Sequence, residues 1–259
     1  GKTETHALNS VSQAIDAGSN ADCPNQDQRT MPRPFNGDNS GGAQCDIGAY
    51  EYTPPALGIS DAALTEGNSG TTNADFTVTL FGNPTQTVTV DYVTADGSAV
   101  AGSDYTTADD TLTFAAGGGG GKQSVLVGVI GETVYENDET FSVGLSNATN
   151  ATILDATGLG SILNDDSQPT LSIADTTLAE GYTGTTPATF TVTLSNASAF
   201  TVTVDYDTSD DTAAAGSDYL TATGTITFTP GLIQNTAIVT VYGDVITETK
   251  ETFFVTLSN

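Results

Sequence analysis

The sequence is poor in positive charge, with five Lys and Arg residues against 32 Asp and Glu and a formal net charge of -27 at pH 7. Proteins bind nucleic acids and anionic membranes largely through cations that neutralise phosphate. The composition therefore excludes nucleic acid as a partner. No stretch approaches the ~20 apolar residues of a membrane span, so we expect no membrane insertion. The excess acid serves either solubility or a partner that carries positive charge, above all a divalent cation.

Side chains typical of catalysis are also scarce. His6 is the single histidine, Trp is absent, and no Cys or Ser motif has the context of a nucleophile. Paired carboxylates are plentiful, but sugar chemistry needs a pocket with aromatic or apolar walls. The sequence therefore predicts no enzyme and no catalytic residues. For the two cysteines, Cys23 and Cys45, an exported disulfide is favoured over free thiols.

Most of the chain consists of a long internal repeat. The peptide "AGSDY" occurs at Ala101–Tyr105 and again at Ala215–Tyr219, 114 positions apart. Around it, "LTEGNSGTTNADFTVTL" matches "LAEGYTGTTPATFTVTL", and "ENDETFSVGLSN" matches "ETKETFFVTLSN". A repeat of this length indicates a duplicated domain rather than a solenoid, whose units have about 20–50 residues.

Each copy has the pattern of an antiparallel β-sandwich. Segments such as "FTVTL" and "SVLVGVI" alternate apolar and polar residues, as do strands with one face on a core. With about seven short strands per copy, the sequence predicts an all-β protein with two tandem sandwiches, residues 54–166 and 167–259. The first copy continues through "GLGSILNDD" but the second stops at "LSN". We expect the second sandwich to lack its last strand and to expose a strand edge.

Acidic residues recur in register between the copies, at predicted strand ends and turns. An antiparallel sandwich gathers several connections at one tip, where like charges repel by about a kcal/mol per close pair in water. A hard cation removes this cost, and Ca²⁺, which takes about 6–8 oxygen ligands, fits irregular loops better than Mg²⁺. A solvated acidic rim is the alternative. The candidate ligands are Glu66, Asp104, Glu132, Glu136, Glu139, Asp165 and Asp166 in copy one, and Glu180, Asp218, Asp244, Glu248 and Glu251 in copy two.

Several longer motifs resemble a known family. "DYVTADGSAVAGSDYTTADDTLTF", "VYENDETFSVGLSN" and "GSILNDD" resemble the Calx-beta domain, found in sodium–calcium exchangers, an integrin subunit and large bacterial surface proteins. The resemblance covers Leu57–Asp166 fully and Leu171–Asn259 up to the missing strand. It implies immunoglobulin-like sandwiches that, in some members, bind calcium at one tip.

The resemblance also implies the ligand positions, which fall on the acids named above. The terminal acidic run, Asn164–Asp166, is present only in copy one. Calcium sensors of the family carry three consecutive acids in a turn that here reads "GET" or "GDV". These departures imply fewer ions and weaker binding. In "AGSDY", the aspartate would be a ligand and the tyrosine would anchor the next strand in the core.

Residues 1–53 share nothing with the repeats. Within Gly1–Tyr52, "AIDAG", "DQR" and "CDIGAYE" resemble the closing segment of right-handed parallel β-helices in bacterial secreted proteins, including the choice-of-anchor type. The resemblance implies a loop-rich cap that normally ends a longer solenoid. We expect the sequence to be a window from a longer chain.

Together these features favour a non-catalytic structural or adhesive protein, extracellular or on a bacterial cell surface: a calcium-stiffened rod of sandwiches in an adhesin or fibre. Expected partners are calcium and either the rest of a longer chain or neighbouring copies that polymerise by donating the missing strand. Two alternatives remain open. One is a carbohydrate- or host-ligand-binding module, for which Tyr135 and Tyr182 are the aromatic candidates. The other is a non-catalytic part of a secreted polysaccharide-acting enzyme.

Overall fold

The computed structural model describes residues 54–117 and 120–258, which are built from strands and turns. They divide into two compact units, one centred on Gly70–Gly131 and Asp138–Leu163 and the other on the chain from Asn164 onward. Within the described residues, no helix has the length and apolar character needed to cross a bilayer. The predicted β-helix cap, with Cys23 and Cys45, lies outside the described residues.

The first copy of the repeat contributes ten strands. They are β1 (Ala56–Ile59), β2 (Ala62–Thr65), β3 (Gly70–Phe81), β4 (Val88–Asp96), β5 (Asp109–Phe114), β6 (Gly121–Gly131), β7 (Val134–Tyr135), β8 (Glu139–Thr149), β9 (Thr152–Asp155) and β10 (Thr157–Leu163).

Nine of these strands form two sheets, with strand orders β6-β3-β1-β9 and β2-β10-β8-β4-β5. Most pairs are antiparallel, but β1 pairs with β9 and β2 with β10 in parallel. Alternate side chains of both sheets meet in one apolar core, to which β3 gives Phe76, β6 gives Val127 and β8 gives Phe141, each at most 1% exposed. The period-two alternation of the sequence thus becomes one buried face on each sheet.

The second copy contributes β11 (Leu171–Ile173), β12 (Gly184–Leu194), β13 (Ala197–Ser198), β14 (Val202–Asp210), β15 (Thr223–Phe228), β16 (Gln234–Gly243) and β17 (Phe253–Ser258). Its sheets have the orders β11-β12-β16 and β15-β14-β17, and β13 forms a short parallel pair with β7. A separate core joins Val192 of β12, Phe228 of β15 and Val239 of β16. The all-β fold with two sandwiches is confirmed. Among the described residues, no strand pairs with the edge of β17 that corresponds to the β10 edge of β8.

The tyrosine of each "AGSDY" turn is part of the core. Tyr105 stacks on Phe141 with ring centroids 4.5 Å apart and an interplanar angle of 15°. Tyr219 stacks on Phe253 at 4.4 Å and 16°. Both tyrosines are 1% exposed. The interpretation of this tyrosine as a core anchor is confirmed, and it fixes the position of the preceding aspartate.

Candidate metal centre

The "AGSDY" turn holds its aspartate by main-chain hydrogen bonds. The amide of Val100 donates to Oδ2 of Asp104 at 2.6 Å, and the amide of Asp104 donates to the carbonyl of Val100 at 3.0 Å. The carbonyl of Asp104 accepts from the amide of Ile130 in β6 at 2.8 Å. Asp104 therefore both caps its own turn and is tied to the neighbouring strand. Asp218 makes the same side-chain contact, accepting from the amide of Ala214 at 2.7 Å.

A second aspartate in each copy also stabilises the "AGSDY" turn by hydrogen bonds. Oδ1 of Asp96 accepts hydrogen bonds from the Tyr105 hydroxyl at 2.5 Å and from the Ala101 amide at 2.9 Å. These bonds lower the pKa of Asp96, while burial and the bond to Asp96 raise the pKa of Tyr105 to about 12. Tyr219 and Asp210 form the same bond at 2.6 Å. Sequence reasoning missed both aspartates, although each lies nine positions before its tyrosine.

Three glutamates of copy one lie at the ends of strands, which fix their positions. Glu66 follows β2, its amide donates to the carbonyl of Leu163 in β10 at 3.3 Å, and its side chain is 2% exposed. Glu132 follows β6 and accepts at Oε2 from the amide of Val134 at 2.5 Å. Glu139 is the first residue of β8.

These side chains form two overlapping groups of carboxylates. One oxygen each of Glu66, Glu132 and Glu136 lie within 4.8 Å of one another, and so do oxygens of Asp104, Glu136 and Glu139. Two oxygens bound to one Ca²⁺ at about 2.3–2.6 Å are at most about 5 Å apart. Each group therefore fits Ca²⁺, a hard cation with a preference for carboxylate oxygen. Glu136 belongs to both groups.

Among the described residues of copy two there is one such group, in which oxygens of Asp218, Glu248 and Glu251 lie within 4.8 Å of one another. Loss of hydration raises the pKa of Glu248, and repulsion from Glu251 and then Asp244 adds to the effect. Loss of hydration also raises the pKa of Glu251, and repulsion from Asp218 makes the next largest contribution. The carboxylates thus destabilise one another in the absence of a cation.

Four of the candidate ligands lie outside these groups. Asp244 accepts at Oδ1 from the amide of Ile246 at 2.6 Å, closing its own turn. Glu180 contributes to the repulsion that raises the pKa of Glu248. Burial, and then repulsion from Asp165, raise the pKa of Asp166. The role of all twelve acids as calcium ligands stays a prediction, and these four are not brought into a group. They are Asp165, Asp166, Glu180 and Asp244.

Fold and sites together define a class of protein: tandem immunoglobulin-like β-sandwiches that carry groups of carboxylates in their loops. The sequence model of the Calx-beta domain matches residues 57–175 and 164–259. The chain belongs to the Calx-beta domain family.

Relatives and solved structures show similarity over the same region. The chain is 32% identical over 192 residues to sodium/calcium exchanger 1 of Bos taurus, covering 67% of this chain and 20% of the relative. It is 31% identical over 198 residues to sodium/calcium exchanger 2 of Homo sapiens, covering 68% and 21%. The chain thus spans 20–21% of the length of these relatives. It is also similar to the calcium binding domain CBD12 of CALX1.1, with 23% identity, a TM-score of 0.39 and coverage of 78% of this chain and 79% of that chain.

Proposed function

We propose that this protein is a non-catalytic calcium-binding module. The observation that carries the proposal is the convergence of five carboxylates of copy one into two groups that share one member. They are Glu66, Asp104, Glu132, Glu136 and Glu139. Family membership supports it, because the relatives that match over the same region are sodium/calcium exchangers.

The electrostatics of the groups favour a cation. Glu66 is 2% exposed and lies within 4.8 Å of two other carboxylate oxygens, in a chain of net charge -27. Buried carboxylates are costly unless positive charge compensates them. In the proposed complex Glu66, Glu132 and Glu136 hold one ion, while Asp104, Glu136 and Glu139 hold a second. The bound cations would neutralise the repulsion and connect the loops.

Thermal unfolding with excess Ca²⁺ and with chelator tests this proposal. A ligand that binds only the folded state adds RT ln(1 + [L]/Kd), about 2.7 kcal/mol at 100-fold excess over Kd. We expect a clear rise in melting temperature with Ca²⁺ and a smaller one with Mg²⁺, which demands a stricter geometry. The variant Asp104→Asn should weaken the rise, because it removes one charged ligand but keeps an oxygen that can accept from Val100.

The matched control is Asp109→Asn. Asp109 is an exposed residue of β5 outside the carboxylate groups, so this variant has the same change in charge and should respond to Ca²⁺ like the parent. A melting temperature that does not depend on Ca²⁺ would show that the acids are a solvated rim. Equal responses of the two variants would place the bound ion elsewhere.

We further propose that the module has a structural or adhesive role outside the cell, as part of a rod that calcium stiffens. The duplicated sandwich and the strongly acidic composition support this role. Antibody labelling of intact and permeabilised source cells tests the location, and labelling only after permeabilisation would contradict it. Small-angle scattering tests stiffening: the distribution of dimensions should narrow with Ca²⁺, and an unchanged distribution would contradict the rod.

A further inference from the structure

Strands β12 and β16, which are described in full, form an outer surface with no charged side chain over four consecutive pairs of residues. Their inward side chains, such as Val192 and Val239, are fully buried, so the alternate positions of both strands face outward. We call the eight outward residues the threonine face, because five of them are threonine. They pair across the two strands as Pro187–Thr240, Thr189–Ile238, Thr191–Thr236 and Thr193–Gln234.

The first copy of the repeat has charges on the same surface. Its strands β3 and β6 pair in the same register as β12 and β16, so every position of the threonine face has a counterpart. Thr189 corresponds to Asp75, and Gln234 corresponds to Lys122. The fold therefore does not require an uncharged surface here, and the threonine face belongs to the second copy alone. The counterparts pair as Asn73–Gly128, Asp75–Leu126, Thr77–Ser124 and Thr79–Lys122.

The threonine face also presents apolar groups to solvent. Ile238 lies near its middle and is 54% exposed, and Pro187 is exposed in the row next to it. Each threonine adds a methyl group beside its hydroxyl. Apolar groups that lie together on a surface mark an interaction site, whereas single exposed apolar residues are common on any protein. The threonine face is therefore a candidate docking surface.

The net charge of -27 decides which partner fits this surface. A basic partner would bind an acidic surface, where the charges are complementary. Two copies of this chain repel each other, and acids on facing surfaces would add to the repulsion; the outward residues Asp205 and Asp207 of β14 are an example. Contact through the threonine face places no like charges directly opposite each other. We infer that two copies of the chain associate through the threonine face, sheet against sheet.

The size of the threonine face sets the strength of this association. Facing sheets pack about 10 Å apart, and a two-fold axis makes the contact the same on both copies. The four pairs extend about 20 Å along the strands and about 10 Å across them, well below the roughly 800 Å² that each partner buries in a stable complex. The dimer is therefore weak, and screening of the repulsion by salt strengthens it. This inference does not rest on calcium binding.

Sedimentation equilibrium of the whole chain in excess chelator, over a series of protein concentrations, tests the inference. An increase of NaCl from about 0.05 M to about 0.5 M shortens the Debye length roughly threefold and should tighten the dimer about tenfold. The variant Ile238→Asp places a carboxylate on each side of the contact. It should weaken the dimer about 100-fold, because like charges then face each other.

The matched control is Leu126→Asp. Leu126 is the counterpart of Ile238 in the first copy, is 52% exposed and pairs with Asp75. This variant adds the same charge outside the threonine face and should associate like the parent. Both substitutions lie on the exposed side of a strand, and urea unfolding checks that each variant keeps its stability.

Three results would overturn the inference. The first is a chain that stays monomeric at every protein and salt concentration. The second is equal weakening by the two variants, or no weakening by either, which would place the contact elsewhere or make it a general effect of charge. The third is association that falls as NaCl rises, which would indicate ionic contacts. Because chelator is present, an absence of calcium binding would leave the outcome unaffected.

Discussion

The substitutions Phe141→Ala and Phe253→Ala offer a matched comparison of a covered and an uncovered core. Each ring stacks on its tyrosine at 4.4–4.5 Å and meets a second phenylalanine edge to face, at 5.7 Å for Phe141 and 5.9 Å for Phe253. The two rings differ in burial, since Phe141 is 1% exposed and Phe253 is only partly buried. In the first unit, β10 pairs with β8 and its Gly160 lies against the ring of Phe141. The two substitutions therefore compare the stability of a core with and without this strand.

The expected loss of stability follows from this burial. Truncating a fully buried phenylalanine to alanine costs about 3–5 kcal/mol, in part because a cavity remains. Phe253 is packed against its core but partly exposed among the described residues, so we expect a smaller loss for its truncation, roughly 2–4 kcal/mol.

Hydrogen exchange in increasing urea, with peptides from β8 and β17 followed separately, measures the free energy of opening of each unit. We expect Phe141→Ala to lower the free energy of opening of the first unit by roughly 1 kcal/mol more than Phe253→Ala lowers that of the second. Equal losses would refute it, since they would mean that the cover from β10 adds nothing to the core.

Three further outcomes are expected. Gly160→Ala should destabilise the first unit by about 1–3 kcal/mol, measured by urea unfolding, because a Cβ on Gly160 would lie 2.5 Å from the ring of Phe141. No loss of stability would show that β10 can shift away from this ring. Folding raises the pKa of Tyr105 from 10.0 to about 12, so the stability from its bond to Asp96 is present below pH 10 and lost as the pH rises towards 12. Melting curves of Tyr105→Phe should lose part of this alkaline dependence, because Tyr219 makes the same bond to Asp210 and its pKa is also raised to about 12; an unchanged profile would contradict it. Glu248→Gln should raise the melting temperature in chelator, because Glu248 and Glu251 repel each other, and should reduce the gain from Ca²⁺; a lower melting temperature in chelator would contradict the repulsion.

The strands were predictable because alternation places one face of each on a core, as in β3 and its repeat β12. The recurrence of acids in register pointed to Glu136 and Glu139, whose oxygens lie near Asp104, but not to the way the acids divide into groups. Three-dimensional turn geometry could not be read from the sequence. The carboxylate of Asp244 accepts a hydrogen bond from the amide of Ile246 in its own turn, and the presence of an acid in a predicted loop does not indicate such a bond. Asp96 was overlooked because its function depends on a hydroxyl that reaches it only after the turn has formed.

The bond between Asp96 and Tyr105 has a consequence for reversibility. Its two groups keep their charge states over a wide interval, because the pKa of the acid is lowered and that of the phenol is raised to about 12. Acid that protonates the glutamates would thus release an ion held at the proposed sites, while the hydrogen bond between Asp96 and Tyr105 keeps the turn in place. The turn would stay folded after the ion is lost, so a return to neutral pH would restore ion binding without refolding of the turn.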